Sequence, residues 1–171
     1  MLLNVDRQDP HFNEIYRKYV VEDIIGYVDR TFRTIPERGS RIIAGHSYSG
    51  GEAFSLAGES SSLFSLVGMF SPYFEIVPQA NLFANHDLQK FPLLFYVYLG
   101  TKDQFSSIPI NTRKAINVLE EWGFPHKYVE DDSDHWAMIG QRIEECIKYF
   151  SNYVVYDSST SGIPHELWKF Y

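Results

Sequence analysis

The chain has 171 residues, of which 44% are hydrophobic, 16% aromatic and 22% charged. This length fits one compact domain, and the composition is that of a folded globular protein rather than a disordered one. The net charge is −7, and an acidic chain without a basic stripe argues against binding to nucleic acid or to an anionic membrane. No membrane-spanning run or signal peptide is visible, so the default expectation is a cytoplasmic protein.

The predicted elements alternate between helices and strands. Asp9-Pro10 has the pattern of a helix start, and apolar residues then recur at helical spacing as far as Phe32. Short β-branched and aromatic runs bounded by glycine or proline follow, separated by helical segments. The predicted strands are residues 41–44, 63–70, 92–100 and 126–130. The predicted helices are residues 49–58, 111–122 and 137–156, with a mixed segment over 75–91 that includes one short helix.

Two of these helices carry more detailed expectations. In the helix over 111–122, Asn111 is predicted to be the N-cap, and Gly123 to end the helix in the left-handed conformation. The last helix is predicted to bury one apolar face, formed by Ile139, Ile143, Cys146, Ile147, Phe150 and Tyr153. A buried Cys146 would be chemically inert.

This order of elements predicts an α/β fold. Strands that alternate with helices form a mainly parallel sheet with right-handed crossovers, here of about four or five strands with helices on its faces. We expect residues 1–157 to form a single domain and residues 158–171 to be a C-terminal tail.

The segment Gly45-His46-Ser47-Tyr48 lies where a predicted strand meets a predicted helix. A serine on a sharp turn there is exposed at the carboxyl end of the strand, where open α/β sheets bind ligands. The helix that follows directs its positive end at the same place. The alternative is a serine that merely caps an ordinary helix, and this tetrapeptide alone leaves both interpretations open.

Two further polar residues each follow a predicted strand: Asp103 comes after the strand over 92–100, and His135 after the strand over 126–130. Because the carboxyl ends of parallel strands meet at one edge, Ser47, Asp103 and His135 are expected to lie along the same edge. Their order in the chain is that of the α/β-hydrolase triad, in which imidazole accepts the serine proton and the carboxylate orients the imidazole.

Several stretches of the sequence then resemble a known family. They are Asp29 to Thr34, Arg41 to Gly51 and Phe64 to Phe74, and together they are similar to the putative-esterase family of α/β-hydrolases, which includes feruloyl and acetylxylan esterases, esterase D and enterochelin esterases. The resemblance covers about residues 20–150, the C-terminal two thirds of that domain. The family motif ends in glycine where this chain has Ser49.

The resemblance implies a serine esterase without a cofactor. Ser47 would be the nucleophile, Asp103 the acid, His135 the base and the backbone N–H of Tyr48 an oxyanion donor. Tyr48, Phe105 and Trp136 are candidates for binding the substrate, a small-molecule ester: an acylated carbohydrate such as a feruloyl or acetyl ester, or a small ester or thioester. Core packing is the alternative for each of the three aromatic residues.

The resemblance also leaves a second class of function open. Only 46 residues precede Ser47, whereas the family places several strands and a second oxyanion donor there. The strand over 41–44 would then have an unpaired edge, so we expect a homo-oligomer or association with a chain that supplies the missing strands. The alternative function is that of a catalytically impaired remnant that serves as a binding module.

The remaining polar residues have weaker patterns. Asp131, Asp132 and Asp134 are candidates to replace Asp103 or to bind a cation, with a solvated acidic loop as the alternative. His46 is expected to pack beneath the serine turn rather than to act in catalysis. No two histidines have the spacing of metal ligands, so no metal site is predicted.

Overall fold

The computed structural model describes Asp9 and residues 11–74 and 90–155 of the chain. The contacts separate two compact units, which divide after Pro36. Most of the mixed segment predicted over 75–91 and the whole predicted tail over 158–171 lie outside the described residues. No helix in the described part of the chain is long and apolar enough to cross a bilayer.

The first unit is helical, as the apolar spacing predicts. It consists of α1 (Phe12–Lys18), a π-helical segment (Tyr19–Ile24) and α2 (Ile25–Thr31). The side-chain oxygen of Asp9 accepts a hydrogen bond of 2.8 Å from the His11 amide. The α-helix begins at Phe12, and Pro10, the predicted first residue of the helix, lies outside the described residues. The π-helical segment interrupts the regular hydrogen-bond pattern that uniform 3.6-residue spacing would predict.

The second unit is built around a four-stranded parallel sheet with the strand order β1-β2-β3-β4. The strands are β1 (Ile42–His46), β2 (Leu66–Phe70), β3 (Leu94–Gly100) and β4 (His126–Asp131). The helices are α3 (Tyr48–Glu59), α4 (Ser107–Glu121) and α5 (Ile139–Phe150), and a 3-10 turn (Arg38–Ser40) precedes β1. The predicted α/β class is therefore confirmed.

The apolar side chains of the central strands divide between two layers of core. One layer joins one face of the sheet to α3 and α4 through Ala53, Phe54, Val67, Met69, Phe95, Val97, Ala115 and Leu119. The other joins the opposite face to α5 through Leu66, Phe70, Leu94, Tyr96, Tyr98, Cys146 and Phe150. Both central strands are buried along their whole length, which explains why their sequences are continuous apolar runs.

The helix α4 begins four residues earlier than predicted. Asn111 lies inside it rather than at its cap, because Pro109 is accommodated in the first turn, where an amide hydrogen has no partner within the helix. The predicted end is confirmed, since Gly123 has a φ of +68° just beyond the helix.

The helix α5 ends at Phe150, so its prediction to residue 156 is too long. Only part of its predicted buried face is buried. Cys146 and Phe150 are in the core, and burial raises the pKa of the Cys146 thiol to about 12, which keeps it in the unreactive neutral form. Ile143, Ile147 and Tyr153 are exposed instead.

Strand β1 lies at one edge of the described sheet. It pairs with β2 on one side, and no other described strand pairs with it. Ile42 is 40% exposed there, whereas the residue paired with it on β2, Leu66, is buried. An apolar edge of this kind offers backbone hydrogen-bonding groups to another chain.

We expect this edge to pair with a second polypeptide, so that the protein scatters light as a species larger than its 19.9 kDa monomer. Ile42→Lys should reduce the association, because a charged side chain on an edge strand opposes pairing. The matched control is Ile110→Lys, at a residue of α4 that is 56% exposed. A monodisperse monomer at micromolar concentration would contradict this expectation.

Candidate active site

Ser47 lies on a tight turn between β1 and α3. Its backbone has φ 57° and ψ −124°, a conformation that residues other than glycine adopt rarely. Its amide donates a hydrogen bond of 2.9 Å to the carbonyl of Phe70, and its carbonyl accepts one of 2.8 Å from the amide of Tyr73. Both partners flank the end of β2, so the turn is held at the carboxyl ends of the strands, here called the carboxyl edge.

The turn requires close contact between strand and helix. A Cβ atom on Gly45 would lie 2.7 Å from the nitrogen of Gly50, and one on Gly50 would lie 2.9 Å from the oxygen of Gly45. These two glycines let the first turn of α3 approach the end of β1. Ser49, at which the chain departs from the family motif, is exposed, but its backbone carbonyl takes part in this contact, because a Cβ atom on Gly45 would meet it even more closely than the nitrogen of Gly50.

Asp103 and His135 form a buried hydrogen-bonded pair. Nδ1 of His135 lies 2.6 Å from Oδ2 of Asp103, and their side chains are 1% and 0% exposed. The other carboxylate oxygen accepts a hydrogen bond of 2.9 Å from the amide of Phe105. The carboxylate therefore has two donors, as a buried charge requires.

This pairing determines which nitrogen of His135 is available. A carboxylate oxygen only accepts, so Nδ1 carries the proton and the neutral ring presents a lone pair at Nε2. Nε2 is buried and has no hydrogen-bond partner among the described residues, Ser47 included. Ser47 and His135 lie at the same edge of the sheet without being hydrogen-bonded to each other.

The loop that carries His135 lies against the end of β3. The amides of Thr101 and Lys102 donate hydrogen bonds of 2.7 and 3.0 Å to the carbonyls of Asp131 and Ser133. A Cβ atom on Gly100 would lie 2.5 Å from the carbonyl oxygen of Ser133 and 2.9 Å from that of Asp134. The loop can occupy this place only because residue 100 has no side chain.

The acidic residues of this loop have structural partners. Asp131 accepts a hydrogen bond of 3.0 Å from the Tyr98 hydroxyl and pairs with Arg142. Asp132 pairs with Lys102 at 2.7 Å, and Asp134 accepts the amides of Trp136 and Ala137. Asp103 is the carboxylate hydrogen-bonded to the His135 ring. Within the described chain, no three histidine, cysteine or acidic side chains are grouped to hold a metal ion.

Two exposed aromatic residues flank His135. The rings of Phe105 and Trp136 meet the imidazole edge to face, with centroids 5.0 and 4.7 Å away, and they are 49% and 64% exposed. The third predicted aromatic residue, Tyr48, stacks on Tyr73 with a centroid distance of 6.4 Å. Tyr73 was not predicted, although its place after Ser71-Pro72, beyond the next strand, puts it at the same edge.

His46 is half-buried beside the turn, and it does more than pack. Its Nε2 lies 2.9 Å from the backbone carbonyl oxygen of His135. This contact joins the end of β1 to the loop that carries His135. This contact could not be predicted from the sequence, because the acceptor is a backbone atom and side-chain identities do not indicate it.

The arrangement of Ser47, Asp103 and His135 on this sheet invites comparison with known proteins. The family described as "Putative esterase" matches residues 4–148. The chain belongs to this family. No curated protein sequence matches the chain.

Solved structures similar to this esterase-family chain are distant in sequence. A ferulic acid esterase superposes with a TM-score of 0.69 at 19% identity, over 82% of this chain and 62% of its own. Fluorophosphonate-binding serine hydrolase F from Staphylococcus aureus has a TM-score of 0.65 at 18% identity, over 79% and 63%. An S-formylglutathione hydrolase from Agrobacterium tumefaciens has a TM-score of 0.63 at 16% identity, over 81% and 57%. The chain thus spans less than two thirds of each, and these likenesses establish the α/β-hydrolase fold.

The contact at Gly100 generates a prediction about stability. Gly100→Ala should lower the free energy of unfolding by roughly 1–3 kcal/mol, because its Cβ would force the loop off the end of β3. Gly140→Ala is the matched control, since a Cβ atom there meets nothing within 4 Å and alanine favours the helix by up to about 1 kcal/mol. Urea unfolding of both variants measures the difference, and equal effects would contradict the role assigned to Gly100.

Proposed function

We propose that this chain is a serine hydrolase of carboxylic esters that acts through an acyl-Ser47 intermediate. The observation that carries the proposal is the buried hydrogen bond of 2.6 Å between His135 and Asp103, which leaves a lone pair at Nε2 of an imidazole beside the Ser47 turn. Membership in the esterase family and the fold of the similar structures support the same activity.

The first half of the reaction would acylate Ser47. Nε2 of His135 accepts the hydroxyl proton of Ser47 as Oγ attacks the ester carbonyl carbon, and the carbonyl oxygen becomes an oxyanion. Tyr48 is the first residue of α3, and its amide N–H is the proposed donor to that oxyanion, assisted by the positive end of the helix. When the intermediate collapses, the imidazolium gives its proton to the departing alcohol.

The second half would release the acid. A water molecule gives a proton to Nε2 of His135 and its oxygen attacks the acyl carbon; collapse of this second oxyanion returns the proton to Oγ of Ser47. Asp103 stays ionised and stabilises the imidazolium in both halves. The Ser47–His135 hydrogen bond must form when substrate is bound, and such bonds are commonly long in enzymes without substrate.

We further propose a substrate with a planar or ring-shaped part. Phe105 and Trp136 are both exposed beside His135, and exposed aromatic rings bind aromatic acyl groups and sugar rings by stacking. One similar structure is named as a ferulic acid esterase and another as an S-formylglutathione hydrolase. Feruloyl or acetyl esters of carbohydrates are therefore the first substrates to test, followed by small thioesters.

Labelling by a fluorophosphonate probe tests the nucleophile. We expect the probe to attach to Ser47, and Ser47→Ala to lose both labelling and the hydrolysis of p-nitrophenyl acetate, because no other hydroxyl would be activated by His135. Ser49→Ala is the matched control: it lies two residues away, is exposed, and should keep both. Wild-type turnover in Ser47→Ala, or labelling at another serine, would refute the proposal.

The aromatic contact generates a prediction about specificity. Trp136→Ala should raise KM for methyl ferulate by about tenfold, the value of one aromatic contact of about 1.4 kcal/mol, and should change KM for p-nitrophenyl acetate much less. Trp122→Ala, at a tryptophan that is 39% exposed beyond α4, is the control. Equal effects of Trp136→Ala on both substrates would argue against a stacking role.

A further inference from the structure

His46 connects the two halves of the proposed site. Its Nε2 approaches the carbonyl oxygen of His135, a residue 89 positions further along the chain, to 2.9 Å. A carbonyl only accepts hydrogen bonds, so Nε2 of His46 carries the proton. The two imidazole rings are tilted at 44° to each other with their centroids 4.5 Å apart, and the centroid of the Trp136 ring lies 5.2 Å from that of His46.

The bond from His46 constrains a different part of His135 than Asp103 does. Asp103 holds Nδ1 and so fixes the orientation of the ring. His46 holds the main chain of the same residue, and it belongs to β1, the strand that ends at Ser47. Ser47 and His135 are not hydrogen-bonded to each other. The bond from His46 therefore connects the strand that ends at Ser47 to the main chain of His135 without involving the reacting atoms.

We propose that His46 is a positioning residue, which as a neutral imidazole with its proton on Nε2 holds the main chain of His135 at a fixed distance from Ser47. This inference rests on the proposed function, because it assigns His46 a part in the same reaction. A misplacement of the base by about 1 Å can cost a large factor in rate, so loss of the bond should lower kcat rather than weaken substrate binding.

The charged and titratable groups around His46 favour its neutral form. Burial lowers the pKa of His46, and a protonated His135 lowers it further; the hydrogen bond to the His135 backbone and the Asp103 carboxylate act in the opposite direction. The net shift is downward. A neutral His46 does not oppose the imidazolium that His135 becomes during the reaction, whereas a second cation 4.5 Å away would.

Two substitutions at His46 distinguish the contribution of its hydrogen bond to the reaction rate from the contribution of its aromatic ring. His46→Phe keeps an aromatic ring but removes the donor, and we expect kcat per labelled site to fall on the order of tenfold with KM unchanged within about twofold. His46→Gln restores an N–H donor close to the position of Nε2, and kcat should return to within about threefold of the wild type. Fluorophosphonate titration gives the number of active sites, so that loss of folded protein does not count as loss of rate.

A matched control distinguishes positioning from stability. His126 also lies 2.9 Å from a backbone carbonyl, that of Phe124, through its Nδ1, but it begins β4 at the opposite end of the sheet. His126→Phe should leave kcat per labelled site unchanged even where it lowers the melting temperature. If His46→Phe keeps the wild-type kcat, or if His46→Gln is as slow as His46→Phe, the positioning role is refuted while the esterase proposal stands.

A measurement without substrate tests the geometry itself. Long-range 1H–15N spectra of the imidazole groups should show His46 as the Nε2–H form, titrating below a free histidine side chain. The opposite tautomer, or a cationic His46 at neutral pH, would refute the inference independently of activity. A wild-type protein that the probe does not label would instead refute the proposed function and this inference with it.

Discussion

The position of His135 depends on the absence of a side chain at Gly100. With a hydrogen atom in place of a Cβ, the carbonyls of Ser133 and Asp134 can approach the end of β3, and the amides that follow the strand pair with the loop. The loop then leads directly into His135. Parallel strands alone bring Ser47, Asp103 and His135 to the carboxyl edge. The backbone contact at Gly100 then positions the loop that carries the imidazole.

The buried pair of Asp103 and His135 has a corresponding vulnerability. A carboxylate without solvent is tolerated because both of its oxygens have donors, the His135 ring and the Phe105 amide. Removing either partner leaves a charge or a polar group without compensation, which costs more than the pair itself contributes. The site is therefore coupled to the stability of the fold, and the aromatic rings of Phe105 and Trp136 close off the same imidazole from the side.

Much of the fold could be predicted because its determinants are local. The central strands are continuous apolar runs, and Gly123 ends a helix as its backbone freedom allows. The start of α4 is wrongly predicted at Asn111 because asparagine is a common cap, whereas the helix begins at Ser107 and Pro109 lies in its first turn, where no intrahelical bond is lost. The exposure of Ile143 and Ile147 also could not be predicted. The spacing of apolar residues shows which of them share a helix face, but it does not show whether another element packs against that face.

In the candidate site, too, some features could be predicted from the sequence and others could not. The order of Ser47, Asp103 and His135, which follow β1, β3 and β4, is visible in the sequence, and parallel strands bring their carboxyl ends together. The contacts that hold these residues are not visible. The bond of His46 ends on a backbone carbonyl, and the need for glycine at position 100 arises from a loop some thirty residues later.

The backbone of Ser47 has one further consequence. A residue with a side chain pays on the order of 1–3 kcal/mol to hold such a conformation, and here the hydrogen bonds to Phe70 and from Tyr73 oppose its relaxation. If the segment after β2 loosened, Ser47 could adopt helical angles, and α3 would gain a residue at its start while the hydroxyl turned away. The presentation of the hydroxyl therefore depends on the segment after β2, through the hydrogen bond from the Tyr73 amide to the Ser47 carbonyl, and not on the strands of the sheet alone.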